Sequence, residues 1–322
     1  MNQHKTNVAL IFILILVNVF LAFNLLDAYK ETQILPDSLI SEAKENLVSH
    51  GITFDESIID KKYNTKTVYK YSSGITFAEE MKENAKYTHP HLLSAIAYLS
   101  SQSEKDAENN IKYFDVPDGT SVSITGKDGN LTASAIITGN TGFEYTDVSF
   151  SSLVVVTEIK NSLSNIPESN EKIRLHKEIS GFFKDVYGTR INARCVSLSE
   201  LDGGRLYTCL VTVDGDDIND MPICFYVKNG KIQHINGNIF FVTPKAEYSA
   251  KLIDGINILY SISEFTDKPC EVLAQKHEYS TVKLENGEIY IFPVWRLKCD
   301  IDGQTFTPVF NALTGEYVFS TK

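Results

Sequence analysis

The feature that most restricts how this chain can fold lies near its start. From Val8 to Leu26 no side chain carries a charge, and only Asn18 and Asn24 interrupt the apolar run. At ~1.5 Å of rise per residue, a helix of that length covers roughly the 30 Å hydrocarbon core of a bilayer. A cleavable signal peptide is the competing explanation, but its apolar region is shorter, about 7–15 residues, and ends in small residues. Here the run ends in Phe23, Asn24, Leu25, Leu26 and Asp27, and Ala28, the one candidate for cleavage, follows bulky Leu26. An uncleaved single-pass anchor is therefore expected. Lys5 precedes it and Asp27 follows it, so the positive-inside tendency places residues 1–7 in the cytoplasm, 8–26 in the cell membrane and the bulk of the chain outside.

Composition bounds the rest. A hydrophobic content of 43% is that of a globular body rather than a disordered one. A formal net charge of −11, with Lys5 ahead of the anchor, makes that body acidic. Such a surface argues against nucleic acid as a partner and against a polybasic grip on anionic lipid. The cysteines, Cys195, Cys209, Cys224, Cys270 and Cys299, form no CxxC pair, so a zinc ribbon or a redox motif is unsupported. An extracytoplasmic chain can form disulfides, but an odd count leaves at least one thiol unpaired. The strand pattern puts Cys209 and Cys299 on apolar faces, and buried, unpaired cysteine is the expected state for most of the five.

Along the chain, Asp37 or Ser38 can cap a helix running to about His50, with Ile40, Ala43 and Leu47 on one face and Gly51 as its stop. Extended segments are expected at 52–59 and 67–71, then a helical stretch from Phe77 to Ser101 broken near His89-Pro90. Residues 103–110 read as a loop and 111–156 as strands, separated by turn signals at Lys127-Asp128-Gly129-Asn130 and Gly139-Asn140-Thr141-Gly142.

The second half carries an apparent duplication. A helix from Glu171 to Tyr187 aligns Leu175, Ile179, Phe182, Phe183 and Val186; a second, from Glu247 to Phe265, aligns Leu252, Ile256, Leu259 and Tyr260. In each copy a strand follows with period-two alternation: Tyr207, Cys209, Val211 and Val213 in one, Trp295, Leu297, Cys299 and Ile301 in the other. Both end in Asp-Gly, at Asp214-Gly215 and Asp302-Gly303. Another strand then closes at Asn229-Gly230 or Thr314-Gly315. Alternation predicts sheets with one wet and one buried face, the buried face covered by the helix. The expected fold class is α+β: the transmembrane helix, an α+β domain at 27–160, and two helix-plus-antiparallel-sheet units at 161–242 and 243–322.

The closing phrase Asn311-Ala312-Leu313-Thr314-Gly315-Glu316, with Pro293-Val294-Trp295-Arg296 ahead of it, resembles the PepSY-type module. The single anchor followed by Leu47 to Ile59 (LVSHGITFDESII) resembles the start of the YycI family. The YycH and YycI proteins are membrane-anchored, extracytoplasmic regulators of the WalK (YycG) sensor histidine kinase of Gram-positive bacteria. That resemblance implies a non-enzymatic regulator in two-component signalling and cell-wall homeostasis. Its partners would be a sensor histidine kinase and a YycH-like co-regulator, in a hetero- or homo-oligomer. PepSY-type modules also occur in secreted proteins and protease propeptides, so the alternative is a binding or inhibitory module acting on an extracytoplasmic peptidase. Residues 60–160 match neither pattern.

Candidate chemistry is sparse. The chain carries no HExxH, GxSxG or P-loop motif. His89-Pro90-His91 is the one histidine cluster, without an acidic or cysteine partner at metal-ligand spacing. Asp214, Asp216, Asp217 and Asp220 form a dense acidic turn, but an EF-hand reading from Asp214 puts Ile218, Asn219 and Phe225 at positions 5, 6 and 12 and fails. Trp295 belongs by alternation to the core. No catalytic residue, cofactor or metal is expected. Asn18 and Asn24 are the candidate contacts to a partner helix in the membrane, since an amide in lipid gains from a hydrogen-bonded neighbour.

Overall fold

The computed structural model describes residues 34–71, 90–103, 110–116, 119–126, 128–139, 141–167, 173–240, 245–285 and 288–321. The expected span at 8–26, with Asn18 and Asn24, lies outside them. Among the described residues no helix is long and apolar enough to cross a membrane. In chain order the elements are α1 (Asp37–Ser49), β1 (Ile52–Phe54), β2 (Thr65–Tyr71), α2 (Pro90–Ser103), β3 (Asn110–Val116), β4 (Gly119–Thr125), β5 (Leu131–Thr138), β6 (Gly142–Asp147), α3 (Leu153–Ser164), α4 (Lys177–Tyr187), β7 (Ile191–Leu201), β8 (Gly204–Val213), β9 (Asp216–Lys228), β10 (Lys231–Asn238), β11 (Ala246–Lys251), a 3₁₀ turn (Asn257–Ser261) continuing into α5 (Ile262–Phe265), β12 (Cys270–Lys283), β13 (Ile289–Ile301), β14 (Gln304–Asn311) and β15 (Tyr317–Thr321). The protein is mixed α+β. It divides into two units, one built from residues 34–66, 249–276 and 294–321, the other from 67–248 and 277–293.

In the larger unit, eight strands pair antiparallel in the order β7-β8-β9-β10-β6-β5-β4-β3. The turns explain the register. Asp202, Asp214 and Asn229 have positive φ and each is followed by a glycine with positive φ, the backbone that a tight two-residue hairpin demands. Helices α2 and α4 cover one face. Leu92, Ile96 and Leu99 of α2 and Ile179, Phe182 and Phe183 of α4 are buried with Val122, Ala135, Tyr207, Cys209 and Phe225 of the sheet. Pro90 opens α2 at the position where its missing N–H costs nothing.

The other face is where the expectation of one wet side fails. On β8 Leu206, Thr208, Leu210 and Thr212 are buried as well as Tyr207, Cys209, Val211 and Val213. The reason is α3, whose Val155 and Ile159 pack on Leu206, Cys224 and Tyr226. The run Leu153–Val156 reads as strand because it is rich in β-branched side chains. The structure makes it the start of a helix, capped by Ser152, whose Oγ accepts from the N–H of Val155. Alternation holds where no second cover occurs among the described residues, as on β4 and β5.

In the smaller unit α1 begins on Pro36 rather than on a capping Asp37 or Ser38: Pro36 occupies the cap with no side-chain hydrogen bond, and Asp37 pairs instead with Lys61 at 2.6 Å. Gly51 ends the helix with φ +80° as expected. β1 then pairs parallel with β12, Ile52 opposite Cys270. The stretch Glu247–Phe265 is not one helix. Residues 246–251 are β11, and helical backbone begins only at Asn257, in the 3₁₀ turn that passes into the single turn α5. β13, β14 and β15 form an antiparallel meander, with β12 beside β13. Leu47, Leu252, Leu259, Trp295, Leu297 and Phe310 are buried together in its core. Trp295 is 1% exposed, and its indole donates to the carbonyl of Ile253 at 2.8 Å. The phrase 311–316 is the turn between β14 and β15. The Asn311 side chain accepts from Leu313 N–H at 2.9 Å, and Gly315, with φ +82°, returns its N–H to the Asn311 carbonyl at 2.8 Å.

Candidate functional site

The acidic turn of β8-β9 is dispersed among structural partners. Asp214 accepts a short hydrogen bond from the Tyr69 hydroxyl and lies 3.7 Å from Arg190 Nε. The Arg190 guanidinium holds Glu247 through two hydrogen bonds of 2.8 and 2.9 Å and stacks 4.8 Å over the Tyr69 ring. Burial first, and then the bond to Asp214, push the Tyr69 phenol up to about 12, so it stays protonated as a donor. The hydrogen bonds to Glu247 hold Arg190 firmly charged. This network ties β2, the β8-β9 turn and β11 together.

Asp217 has a different partner, and its side chain is buried. Arg194 donates to it through Nε at 2.8 and 3.1 Å and through Nη2 at 2.7 Å. Arg194 sits on β7 opposite Leu210, and Asp217 on β9 opposite Thr212, so the pair bridges across β8. Asp220 accepts from the backbone and hydroxyl of Thr281 at 2.9 and 2.6 Å. No cation is needed to explain any of these carboxylates, and no group of three metal-ligating side chains occurs among the described residues.

The histidines also have local partners. His91 Nδ1 is 2.7 Å from the Val186 carbonyl, and His89 lies outside the described residues. His176 caps α4 by accepting from Glu178 N–H at 3.3 Å, and burial lowers its pKa. His234 is 2% exposed, stacked on Phe150 at 4.6 Å, and burial lowers it to about 4. Its Nδ1 lies 3.0 Å from the Thr146 hydroxyl.

What stays exposed on the larger unit is a set of aliphatic side chains. Val148, Leu153 and Val154 are 67, 81 and 65% exposed, three aliphatic side chains within one short stretch at the start of α3. At the other end of α3, Leu163 borders a shallow groove of about 320 Å³ with Ile136, Glu144, Asn236 and Asn238. Its floor is tight: Gly237, at φ +147°, leaves only 2.4 Å between a hypothetical Cβ and the carbonyl oxygen of Pro222. Among the described strands β3 forms an end of the sheet path, and it exposes half of Phe114; a sheet edge is the kind of place that accepts an added strand. Exposed aliphatics on a helix that the sequence reads as strand could not be foreseen from the pattern; the Ser152 cap was the available signal.

No family model and no curated protein matches the chain. Among solved structures it is similar to an uncharacterized protein from Eubacterium rectale, with 12% identity, coverage of 83% of this chain and 89% of that one, and a TM-score of 0.42. It is also similar to the Bacillus megaterium YpeB C-terminal domain, with 11% identity, coverage of 72% and 96%, and a TM-score of 0.36. Overlaps this loose carry no argument about function.

Proposed function

We propose that the protein is a non-enzymatic regulator, held in the cell membrane by residues 8–26, whose extracytoplasmic body binds a sensor histidine kinase. The observation that carries this reading is the uncharged run Val8–Leu26 ahead of a body with net charge −11 overall. The kinase as partner, with a YycH-like co-regulator, rests on the resemblance of the anchor and of 47–59 to the YycI family. The exposed aliphatics at 148–154 supply a contact surface, and Asn18 and Asn24 a membrane one. Regulation would follow from binding two kinase conformations with different affinity, since equal affinity shifts nothing. The phrase 311–316 favours a second reading, two PepSY-like units at 161–242 and 243–322 that bind or inhibit an extracytoplasmic peptidase.

Capture of the full chain from detergent-solubilised membranes separates the readings. A histidine kinase among the specifically retained proteins supports the first, a peptidase the second. Retention of neither would sink both. Asn18→Leu makes the segment more apolar and so leaves insertion intact; if Asn18 contacts the partner helix, the substitution weakens co-purification.

A further inference from the structure

Four of the five cysteines lie in two pairs on neighbouring strands. Cys195 on β7 is directly opposite Cys209 on β8, with the bulge at Val196 immediately after it. Opposed residues on antiparallel strands have Cα atoms about 4.5–5.5 Å apart and point to the same face. A disulfide needs Cα atoms about 4.4–6.8 Å apart, so this register already satisfies it. Cys270 and Cys299 stand on the neighbouring strands β12 and β13, buried in one core. Within each pair the partner thiol shifts the ionisation of the other, so the two side chains are neighbours. Cys224 stands apart: it packs under α3, on the opposite face of the sheet from Cys195 and Cys209.

We propose that Cys195–Cys209 and Cys270–Cys299 are disulfide sites, and that Cys224 is the thiol left over. In the structure all five are free and buried, so the oxidant must act while the chain is still open, as it folds. That oxidant is a small-molecule or protein disulfide. One thiolate of a pair attacks it, forms a mixed disulfide and releases one thiol; the facing thiolate then attacks the mixed disulfide and releases the second. Each pair gives up two electrons and two protons, and the oxidant's two sulfurs take both. Once the strands have closed, burial raises Cys224 to about 12 and keeps it inert.

The two pairs occupy the first two strands of each C-terminal meander but not the same register. Cys209 precedes Asp214 by five positions and Cys299 precedes Asp302 by three, so both point to the same side of their strands. The odd count is thereby resolved without an intermolecular bond. The inference does not depend on the identity of the partner proposed above; it requires only a compartment that is not reducing.

The test is disulfide mapping. The full chain is refolded from denaturant in a buffer of oxidised and reduced glutathione, quenched in acid, alkylated without reductant, digested and weighed. The expected result is two linked peptides, 195 with 209 and 270 with 299, and alkylation at Cys224 alone. Alkylation of all five, or any link that joins Cys224 or crosses between the pairs, overturns the proposal. Cys195→Ser must abolish the first link and keep the second, and Cys270→Ser the reverse. Loss of both links in either variant would also overturn it, because the pairs would then not be independent sites.

Discussion

The ion pair across β8 gives the most exacting test of the fold. The side chain of Asp217 is 3% exposed and that of Arg194 33%, and three contacts of 2.7–3.1 Å join them. Replacing Arg194 by Met removes a cation that holds this carboxylate and leaves the charge beside Thr212. Breaking a buried pair from one side costs about 3–5 kcal/mol; because Arg194 is one-third exposed and water can reach its end of the pair, the lower figure, ~3 kcal/mol, applies here. The double variant Arg194→Met, Asp217→Leu removes both charges of this pair and should stay within about 1 kcal/mol of the parent, since apolar replacements of such pairs are often neutral. Urea unfolding followed by far-ultraviolet circular dichroism reads both. With a slope of about 3 kcal/mol per molar, the single variant's midpoint falls by roughly 1 M and the double variant recovers most of it. A single variant indistinguishable from the parent, or a double variant as weak as the single, would refute the claim that Asp217 is held by Arg194 rather than by solvent.

His234 predicts an acid limb. Its pKa falls from about 6.5 unfolded to about 4 folded, so its contribution is complete above about 6.5 and is lost as pH drops from there toward 4. The loss should approach ~3 kcal/mol, and His234→Gln should flatten that part of a stability-against-pH curve. Gly237→Ala should lower stability by more than ~2 kcal/mol, because its φ of +147° and the Pro222 carbonyl both exclude a side chain; an unchanged melting temperature would contradict the geometry. Leu153→Ser with Val154→Ser should leave the stability within about 0.5 kcal/mol of the parent while weakening capture of the membrane partner. Retained capture would remove α3 from the interaction surface.

The hairpins were written in the sequence. Asp214-Gly215, Asn229-Gly230 and Asp302-Gly303 need positive φ, and few residues other than Gly, Asn and Asp accept it, so strand ends could be read directly. Strand faces were legible for the same kind of reason: period two placed Tyr207, Cys209, Trp295 and Leu297 inward, and all four are buried. Helix α4 was legible over Lys177–Tyr187 because its apolar spacing is helical throughout. Local signals failed where neighbours decided. Leu153–Val156 has strand propensity but sits over β8 and β9, and helical backbone buries Val155 and Ile159 there. Glu247–Lys251 has helical spacing but runs extended as β11. The assembly of one unit from residues 34–66, 249–276 and 294–321 has no signature in any spacing. The pairing of Cys195 with Cys209, and the reach of Arg194 across a strand to Asp217, follow from strand register and from a bulge at Val196, which exist only once the strands have met. The apolar run Val8–Leu26 is the opposite case, since its length and lack of charge are properties of the sequence alone.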